Sequence, residues 1–242
     1  MIRMTEKSGR TAVPLLAPLL VGVTILAATA SVRADGTADL LANGERYRVE
    51  FTGKQVRIES TKRRGLYMLA HDESLYAVSQ VQGRPLVMEG RAIINLLAAA
   101  GAGAATRNHP DDLVRFGELR RTSRRETVAG IHGEVYTLEF WTRKGEHRTV
   151  DIVLSSDPDI VQLTGAMGNI ALALQQTLGT DTQGAQELIH ALQQRGLGVL
   201  RAGPDIRLVG IDRATPPADR FRLPAQPVAL PDLRSLLPGL RR

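Results

Sequence analysis

Strict alternation of apolar and polar residues is the feature that most restricts the fold of this chain. Over residues 46–51 and 55–59, apolar side chains occupy every second position, and the positions between them are charged or polar. A period of two is typical of antiparallel strands with one face in water. The segment Thr52-Gly53-Lys54 between the two runs has the length of a hairpin turn. The alternation therefore predicts a β-hairpin with a solvent-exposed charged face.

Further segments continue the strand pattern along the chain. Strands are predicted over residues 65–70, 75–81, 113–125, 133–143 and 148–154, near Val199, and over residues 206–211. Many short strands with intervening turn residues indicate an antiparallel sheet.

Three segments have helical spacing instead. A short helix is predicted over residues 91–100, where apolar residues share one helical face before Gly101 and Gly103. Asp157-Pro158 combines a favoured cap with a favoured first residue, so a longer helix is predicted from there to Leu178. A second helix covers residues 185–192. Strands, a helical pair and closing strands predict an α+β domain.

The first 34 residues have the anatomy of a secretory signal peptide. Basic residues precede an uncharged apolar stretch at residues 13–28, and small-residue patterns predict cleavage after Ala30 or Ala34. The alternative is an uncleaved membrane anchor, since the stretch approaches the length of a bilayer span. Its two prolines and the small residues that follow favour cleavage. The chain is therefore predicted to be periplasmic or secreted, without a stable membrane span after cleavage.

Removal of the signal peptide changes the charge and leaves one domain. Residues 1–34 hold four basic residues and one acidic residue, so the net charge falls from +6 to +3. This excess does not predict a nucleic-acid partner. The chain has no cysteine, so it has no disulfide and no site for the lipid of a lipoprotein. Residues 35–224 are predicted to form one domain, and the Pro- and Leu-rich tail at residues 225–242 to be poorly ordered.

No enzyme motif is present in the sequence. There is no nucleophile elbow, zinc-binding helix motif or phosphate loop, and the five histidines lie in different elements. His147 and Asp151 are four residues apart on a predicted strand, which fits a cross-strand polar pair, and the alternative is a site of a hydrolase or other enzyme. No catalytic residue, metal or cofactor is predicted, and the chain is interpreted as non-enzymatic.

Two basic clusters admit two interpretations. They consist of Lys62, Arg63 and Arg64, and of Arg120, Arg121, Arg124 and Arg125. They could bind anionic headgroups, which would give peripheral membrane contact without a span. The alternative is a charged rim that prevents strand edges from pairing with other molecules.

Several local patterns together resemble a known family. They are "YRVEFTGKQVRIES", "GLYMLAHDESLYAVSQ", "ETVAGIHGEVYTLEFW" with the pattern V-A-G-x-x-G-x-x-Y, and "SSDPDI" at a helix start. Over roughly residues 44–224 the chain resembles exported bacterial domains of unknown function with a fold like that of the periplasmic lipoprotein-localisation carriers (Lol type). The resemblance implies a strongly curved antiparallel sheet, a half-barrel, with helices packed on its concave face. In the carriers this apolar space accepts acyl chains.

Six residues are the candidates for lining such a cavity. Tyr136, Leu138 and Phe140 alternate on one predicted strand, and Met167, Ile170 and Leu174 are predicted to face them from the long helix. The first hypothesis is an exported protein that binds an apolar or amphipathic ligand, a lipid or lipoprotein. The alternative is a structural or protein-interaction module of the cell envelope with a fully packed interior. The segment 124–141 is interpreted as a bend in the sheet that carries no chemistry.

Overall fold

A single antiparallel sheet of eleven strands is the main feature of the chain. The computed structural model describes residues 35–53, 55–62, 65–71, 74–90, 92 and 113–228. The strands are β1 (Gly36–Ala42), β2 (Glu45–Thr52), β3 (Gln55–Ser60), β4 (Tyr67–His71), β5 (Ser74–Val81), β6 (Arg84–Glu89), β7 (Leu113–Val128), β8 (Ile131–Thr142), β9 (His147–Ser155), β10 (Gly198–Ala202) and β11 (Ile206–Asp212). The helices are α1 (Pro158–Leu178), α2 (Gln183–Gln194) and a turn of 3-10 helix (Ala218–Phe221). The strand order is β6-β5-β4-β3-β2-β1-β11-β10-β9-β8-β7, so the sheet is not closed and β6 and β7 form its ends.

Three of the hairpins close with the same kind of two-residue turn. These turns are Asn43-Gly44, Gln82-Gly83 and Ala129-Gly130, and all six residues have φ between 51° and 78°. Two successive positive φ angles are the requirement of a type I′ turn, whose twist matches that of the flanking strands. Glycine at the second position adopts this conformation without a Cβ penalty. The "AG" of the sequence pattern is therefore a hairpin turn, as predicted.

The α+β class and the antiparallel sheet are confirmed, and all the predicted strands within the described residues are present. Two strands were missed. The segment of β1 lacks a clean alternation, and β6 contains Pro85, which counts against a strand. Proline is tolerated in β6 because this strand ends the sheet. The helix predicted over residues 91–100 lies outside the described residues except for Ala92.

The helix α1 begins where the sequence predicts. The Asp157 carboxylate accepts a hydrogen bond from the backbone N of Asp159 at 3.0 Å, and Pro158 occupies the first turn. Gly179 ends the helix in the left-handed conformation, with φ of 68°. Arg213, just after β11, pairs with both Asp157 (2.8 Å) and Asp159. The start of α1 is therefore held by its own cap and by a residue next to the last strand.

Two separate groups of buried side chains form most of the core. The α1 core contains Ile160, Leu163, Ala166 and Ile170 of α1 with Ala38, Val49, Phe51, Val56, Leu75, Val128, Val135, Val153, Leu200 and Leu208 of the strands. The α2 core contains Leu119, Tyr136, Leu138, Ile152 and Leu154 of the strands with Leu192 of α2. Each helix thus belongs to its own cluster.

The prediction that the charged face of the first hairpin is exposed to solvent is wrong in part. Glu50 and Arg57, predicted to face solvent, are each only 8% exposed. They stand directly opposite each other on β2 and β3, and the 3-10 helix near the C-terminus contacts β3 beside them. Phe221 of this helix is 1% exposed. The charged face is buried because a segment remote in sequence packs near it.

An ion-pair cluster, the Arg220 latch, accommodates these buried charges. It comprises Glu50, Arg57, Glu59 and Arg220. The Nε of Arg220 donates to both carboxylate oxygens of Glu50 at 3.0 Å, and Arg57 donates to Glu59 at 3.0 Å. The guanidinium of Arg57 also lies over the Tyr67 ring, 3.3 Å from its centroid. Each buried charge is thus paired, which compensates for the loss of water.

The latch shifts the pKa values of two of its members. The hydrogen bond to Glu50 raises the pKa of Arg220 above its usual value. Burial raises the pKa of Glu59, but hydrogen bonds from Arg57 and the Gly65 N, with the charges of Arg57 and Arg220, outweigh burial. The pKa of Glu59 therefore lies below its usual value, and its ionised form stabilises the fold.

Of the predicted signal peptide and the predicted C-terminal tail, the structure describes residues 225–228. The predicted signal peptide, residues 1–34, and most of the predicted tail, residues 229–242, lie outside the described residues. The first part of that tail is described, and the Val228 N donates to the Val87 O of β6 at 2.8 Å. Within the described residues, no helix has the length and apolar character needed to cross a membrane.

Replacement of Phe221 by alanine tests the role of the C-terminal segment. We expect Phe221→Ala to lower the free energy of unfolding by about 3–5 kcal/mol, because a buried aromatic ring is lost from a packed site. The matched control is Arg222→Ala at the next, exposed position, with an expected change within about 0.5 kcal/mol. Urea unfolding followed by circular dichroism measures both. Equal effects of the two variants would contradict the packing described.

The pH dependence of stability tests the latch. Because the pKa of Glu59 is lowered in the folded state, its contribution is fully present above its usual value near 4.5 and is lost as pH falls through the lower folded value. Glu59→Gln should therefore be less stable than the parent at pH 7, by about 1–2 kcal/mol. The difference should shrink below pH 4.5. A difference that stays constant from pH 7 to the acid limit would rule out this role for Glu59.

Candidate functional site

The structure does not bring the six apolar-cavity candidates together. Tyr136, Leu138 and Phe140 share one face of β8, as predicted, and belong to the α2 core or pack against it. Ile170 belongs to the α1 core, and Met167 and Leu174 pack against that core. These three residues of β8, the strand triplet, thus have Leu188 and Leu192 of α2 as their helical neighbours. The spacing of apolar residues indicates a shared face but does not identify the partner element.

The basic residues on β7 lie on a terminal strand of the sheet. Arg120 is 3.6 Å from Glu139, Arg124 is 2.7 Å from Asp151, and Arg121 pairs with Glu134. The pairing of β7 with β8 has three irregularities. Charges and bulges on a terminal strand are what a protected edge requires. The anionic-surface role stays a prediction for these residues and for exposed Lys62, while Arg63 and Arg64 lie outside the described residues.

The helix α2 also covers part of this edge. The guanidinium of Arg195, just after α2, donates to the Leu119 O of β7 at 2.8 Å. A Cβ placed on Gly184 would lie 2.6 Å from the backbone carbon of Val114. The first turn of α2 can approach β7 this closely only because residue 184 is glycine. The segment from Gly184 to Arg195 therefore contacts the terminal strand at both of its ends.

His147 and Asp151 have separate partners. The Nε2 of His147 is 3.6 Å from Glu139, and its ring centroid is 4.9 Å from that of Trp141. Asp151 pairs with Arg124. Among the described residues, no three His, Asp or Glu side chains are grouped so that they could hold a metal ion.

A pocket of about 730 Å³ lies at the closed end of the β7–β8 hairpin. The lining residues come from the hairpin, from the junction between β9 and α1, and from the residue before β10. They are Arg125, Glu126, Thr127, His132, Gly133, Glu134, Leu154, Ser155, Ser156 and Leu197. None of the six apolar-cavity candidates is among them. We refer to this feature as the hairpin pocket.

Arginines outside the lining neutralise the two carboxylates of the hairpin pocket. Arg201 donates to both oxygens of Glu126 at 3.0 and 2.8 Å, and Arg121 pairs with Glu134. The hydrogen bond from Arg201 lowers the pKa of Glu126, while Glu126 raises the pKa of Arg201. Glu126 is therefore ionised at neutral pH and already has a cation as its partner.

The remaining polar groups of the pocket are less constrained. Thr127 Oγ1 is 3.0 Å from His132 Nδ1, which orients the imidazole ring. Ser155 Oγ donates to the His132 O and accepts from the Asp157 N, so its hydrogen bonds are satisfied. Within the described residues, Arg125 makes no ion pair and Ser156 Oγ makes no hydrogen bond. A cation and a hydroxyl thus remain for a ligand.

Residues 124–141 contain the predicted bend, and their interpretation as a segment without chemistry stays a prediction. The turn was predicted correctly, but the segment also supplies six of the pocket residues. The two-residue turn in the sequence could have predicted this grouping, because it places Thr127 opposite His132 and Arg125 opposite Glu134. Residues paired in this way lie side by side on one face.

Gly133 is required for space rather than for backbone conformation. A Cβ at this position would lie 2.6 Å from Val153 Cγ1 and 2.8 Å from Leu200 Cδ1. We expect Gly133→Ala to lower the free energy of unfolding by about 1–3 kcal/mol through overpacking. The control is Gly210→Ala in β11, where a Cβ would meet no atom within 4 Å. Thermal unfolding compares the two, and an unaffected Gly133→Ala variant would contradict this packing.

Comparison with known proteins does not assign the chain. No protein-family model, no curated protein and no solved structure matches it. The resemblance to exported domains of the lipoprotein-carrier type therefore stays a prediction from the sequence patterns. The function has to be inferred from the residues of the chain itself.

Proposed function

We propose that the chain is an exported, non-enzymatic protein of the cell envelope that binds an apolar or amphipathic ligand, a lipid or lipoprotein. Its sheet would form a half-barrel, and α1 would occupy the concave apolar face. Ligand binding would displace part of α1, so that an acyl chain replaces the helix against the strands. The proposal unites the predicted export signal, the family resemblance and the contacts of α1.

The single observation that carries this proposal is where the two ends of α1 make contact. Near its start, Thr164 Oγ1 accepts from the Val199 N of β10 at 2.7 Å. Near its end, Thr177 Cγ2 lies 3.5 Å from a Cβ placed on Gly90, the residue after β6. The thirteen residue steps between these two threonines span about 20 Å of helix.

A flat sheet would keep these contact points farther apart. Seven strand spacings separate β6 from β10, which amounts to about 34 Å in a flat sheet. Side chains at each end cover only part of the difference. The Cα atoms of β7 and β11 also approach within 8 Å, although three strands lie between them. Both facts support a curved sheet in which α1 spans the concave side from β10 to the end of β6.

The burial of α1 decreases along its length. Ile160, Leu163 and Ile170 are buried, whereas beyond Ile170 the helix has exposed Ala171 and half-buried Leu174. The first turns are also held by Arg213 at the Asp157 cap. The C-terminal half would therefore lose less buried apolar surface than the N-terminal half if it left the sheet. Its displacement would expose apolar strand residues such as Leu75 to a ligand.

A second candidate function is a protein-interaction module with a packed interior. The observation that favours it is the burial of the strand triplet, where Tyr136 and Leu138 are 7% and 5% exposed beneath α2. These side chains already have apolar partners. In this alternative neither helix moves, and binding takes place on the outer surface.

A reversible tether of α1 distinguishes the two functions. Thr177 Cγ2 and Oγ1 lie 3.5 and 3.6 Å from a Cβ placed on Gly90, so cysteines at these two positions would be neighbours, and the chain has no cysteine of its own. We expect oxidised Gly90→Cys/Thr177→Cys to bind N-phenylnaphthylamine, an uncharged apolar fluorophore, roughly tenfold more weakly than its reduced form. The reduced double variant and the two single variants are the controls, and dodecyl maltoside serves as a competitor.

Each outcome of the tether experiment has a clear meaning. Weak binding on oxidation that recovers with dithiothreitol supports a ligand that takes the place of α1. Equal binding in both redox states contradicts displacement of the helix. If the parent chain binds neither compound and native mass spectrometry finds no lipid, the interaction module is the better description.

A further inference from the structure

We infer that the hairpin pocket binds an oxyanion, a phosphate or a carboxylate, through Arg125. The site is distinct from the apolar face beneath α1. The inference depends on which charges in and around the pocket are already paired.

One positively charged side chain of the pocket, that of Arg125, has no carboxylate partner among the described residues. Glu126 is paired with Arg201 and Glu134 with Arg121, so each carboxylate already has a guanidinium. Arg125 lines the same pocket without an ion pair among the described residues. Its neighbour Arg124 differs in this respect, since Asp151 lies 2.7 Å from it. A guanidinium with unused donors is suited to a planar or tetrahedral oxyanion.

Two neutral groups add hydrogen-bond capacity beside this cation. Thr127 Oγ1 and His132 Nδ1 are 3.0 Å apart, and in the tautomer in which Thr127 donates, His132 Nε2 carries a proton that it can donate to a ligand. The hydroxyl of Ser156 makes no hydrogen bond among the described residues and can donate as well. Together with Arg125, these groups supply more than one donor to a single anion, as anion sites require.

The apolar part of the lining points to more than an inorganic ion. Leu154 and Leu197 line the same pocket as Arg125, and Leu154 belongs to the α2 core. A pocket of about 730 Å³ is much larger than a phosphate group needs. An anionic group attached to an alkyl chain would fit both the cation and the apolar wall.

Matched amphiphiles test the inference. We expect the parent chain to bind dodecyl phosphate at least tenfold more tightly than dodecyl maltoside, which has the same alkyl chain and no charge. Arg125→Gln should remove this preference, with dodecyl maltoside binding unchanged, since one charge-assisted interaction is lost. Isothermal titration calorimetry measures both ligands, and circular dichroism checks that the variant is folded.

Arg124→Gln is the matched control because it removes the same charge from the adjacent residue. If Arg125 acts through the pocket, Arg124→Gln retains the preference for dodecyl phosphate. Equal losses in both variants would mean that general surface charge attracts the anion, and the pocket assignment would be wrong. His132→Gln is a second variant, with an expected loss of roughly three- to tenfold for dodecyl phosphate alone.

Inorganic phosphate and acetate separate the site from the proposed function. If neither amphiphile binds but inorganic phosphate binds the parent and not Arg125→Gln, the oxyanion site stands and the lipid-binding proposal fails. If both amphiphiles bind the parent and Arg125→Gln equally, the oxyanion site is wrong and the lipid-binding proposal stands. Absence of binding of every one of these compounds overturns both.

Discussion

The burial of the apolar side of α1 against the strands is the interaction on which the rest of the structure depends. Ile160 and Leu163 share one core with strand residues that range from Leu75 on β5 to Val128 on β7. Each large side chain buried there contributes about 1.5–3 kcal/mol. A strand face of this size must be covered by something apolar. In the proposed function, only a ligand that is itself apolar could replace the helix at low cost.

The charged residues of the sheet are paired to different extents in two regions. Glu50 and Arg57 are buried and pair with each other. Arg220, next to buried Phe221, also pairs with Glu50. Such a cluster is costly to open, because an unpaired charge would remain buried. The hairpin pocket has the opposite character, since Arg125 lies in it without an ion pair among the described residues. This contrast supports the inference that an anionic ligand is bound at the hairpin pocket rather than at the C-terminal segment.

Local features of the fold could be predicted from the sequence, whereas the partners of each element could not. The β2–β3 hairpin, the Asp157-Pro158 helix start and the "AG" turn each depend on neighbouring residues, and all three are confirmed. The burial of Glu50 depends on Arg220, which is 170 positions away. The separation of Tyr136 from Ile170 depends likewise on which helix packs on which strands. No period or motif contains that information.

Hydrogen exchange of the α1 backbone amides, measured by mass spectrometry, tests the central claim most directly. The claim is that a ligand takes the place of α1 on the apolar face of the sheet. With saturating N-phenylnaphthylamine, the account predicts faster exchange in the C-terminal half of α1, from Ala171 to Leu178, and unchanged exchange in β8 and β9. Unchanged or slower exchange in that half of α1 while the ligand is bound would contradict it.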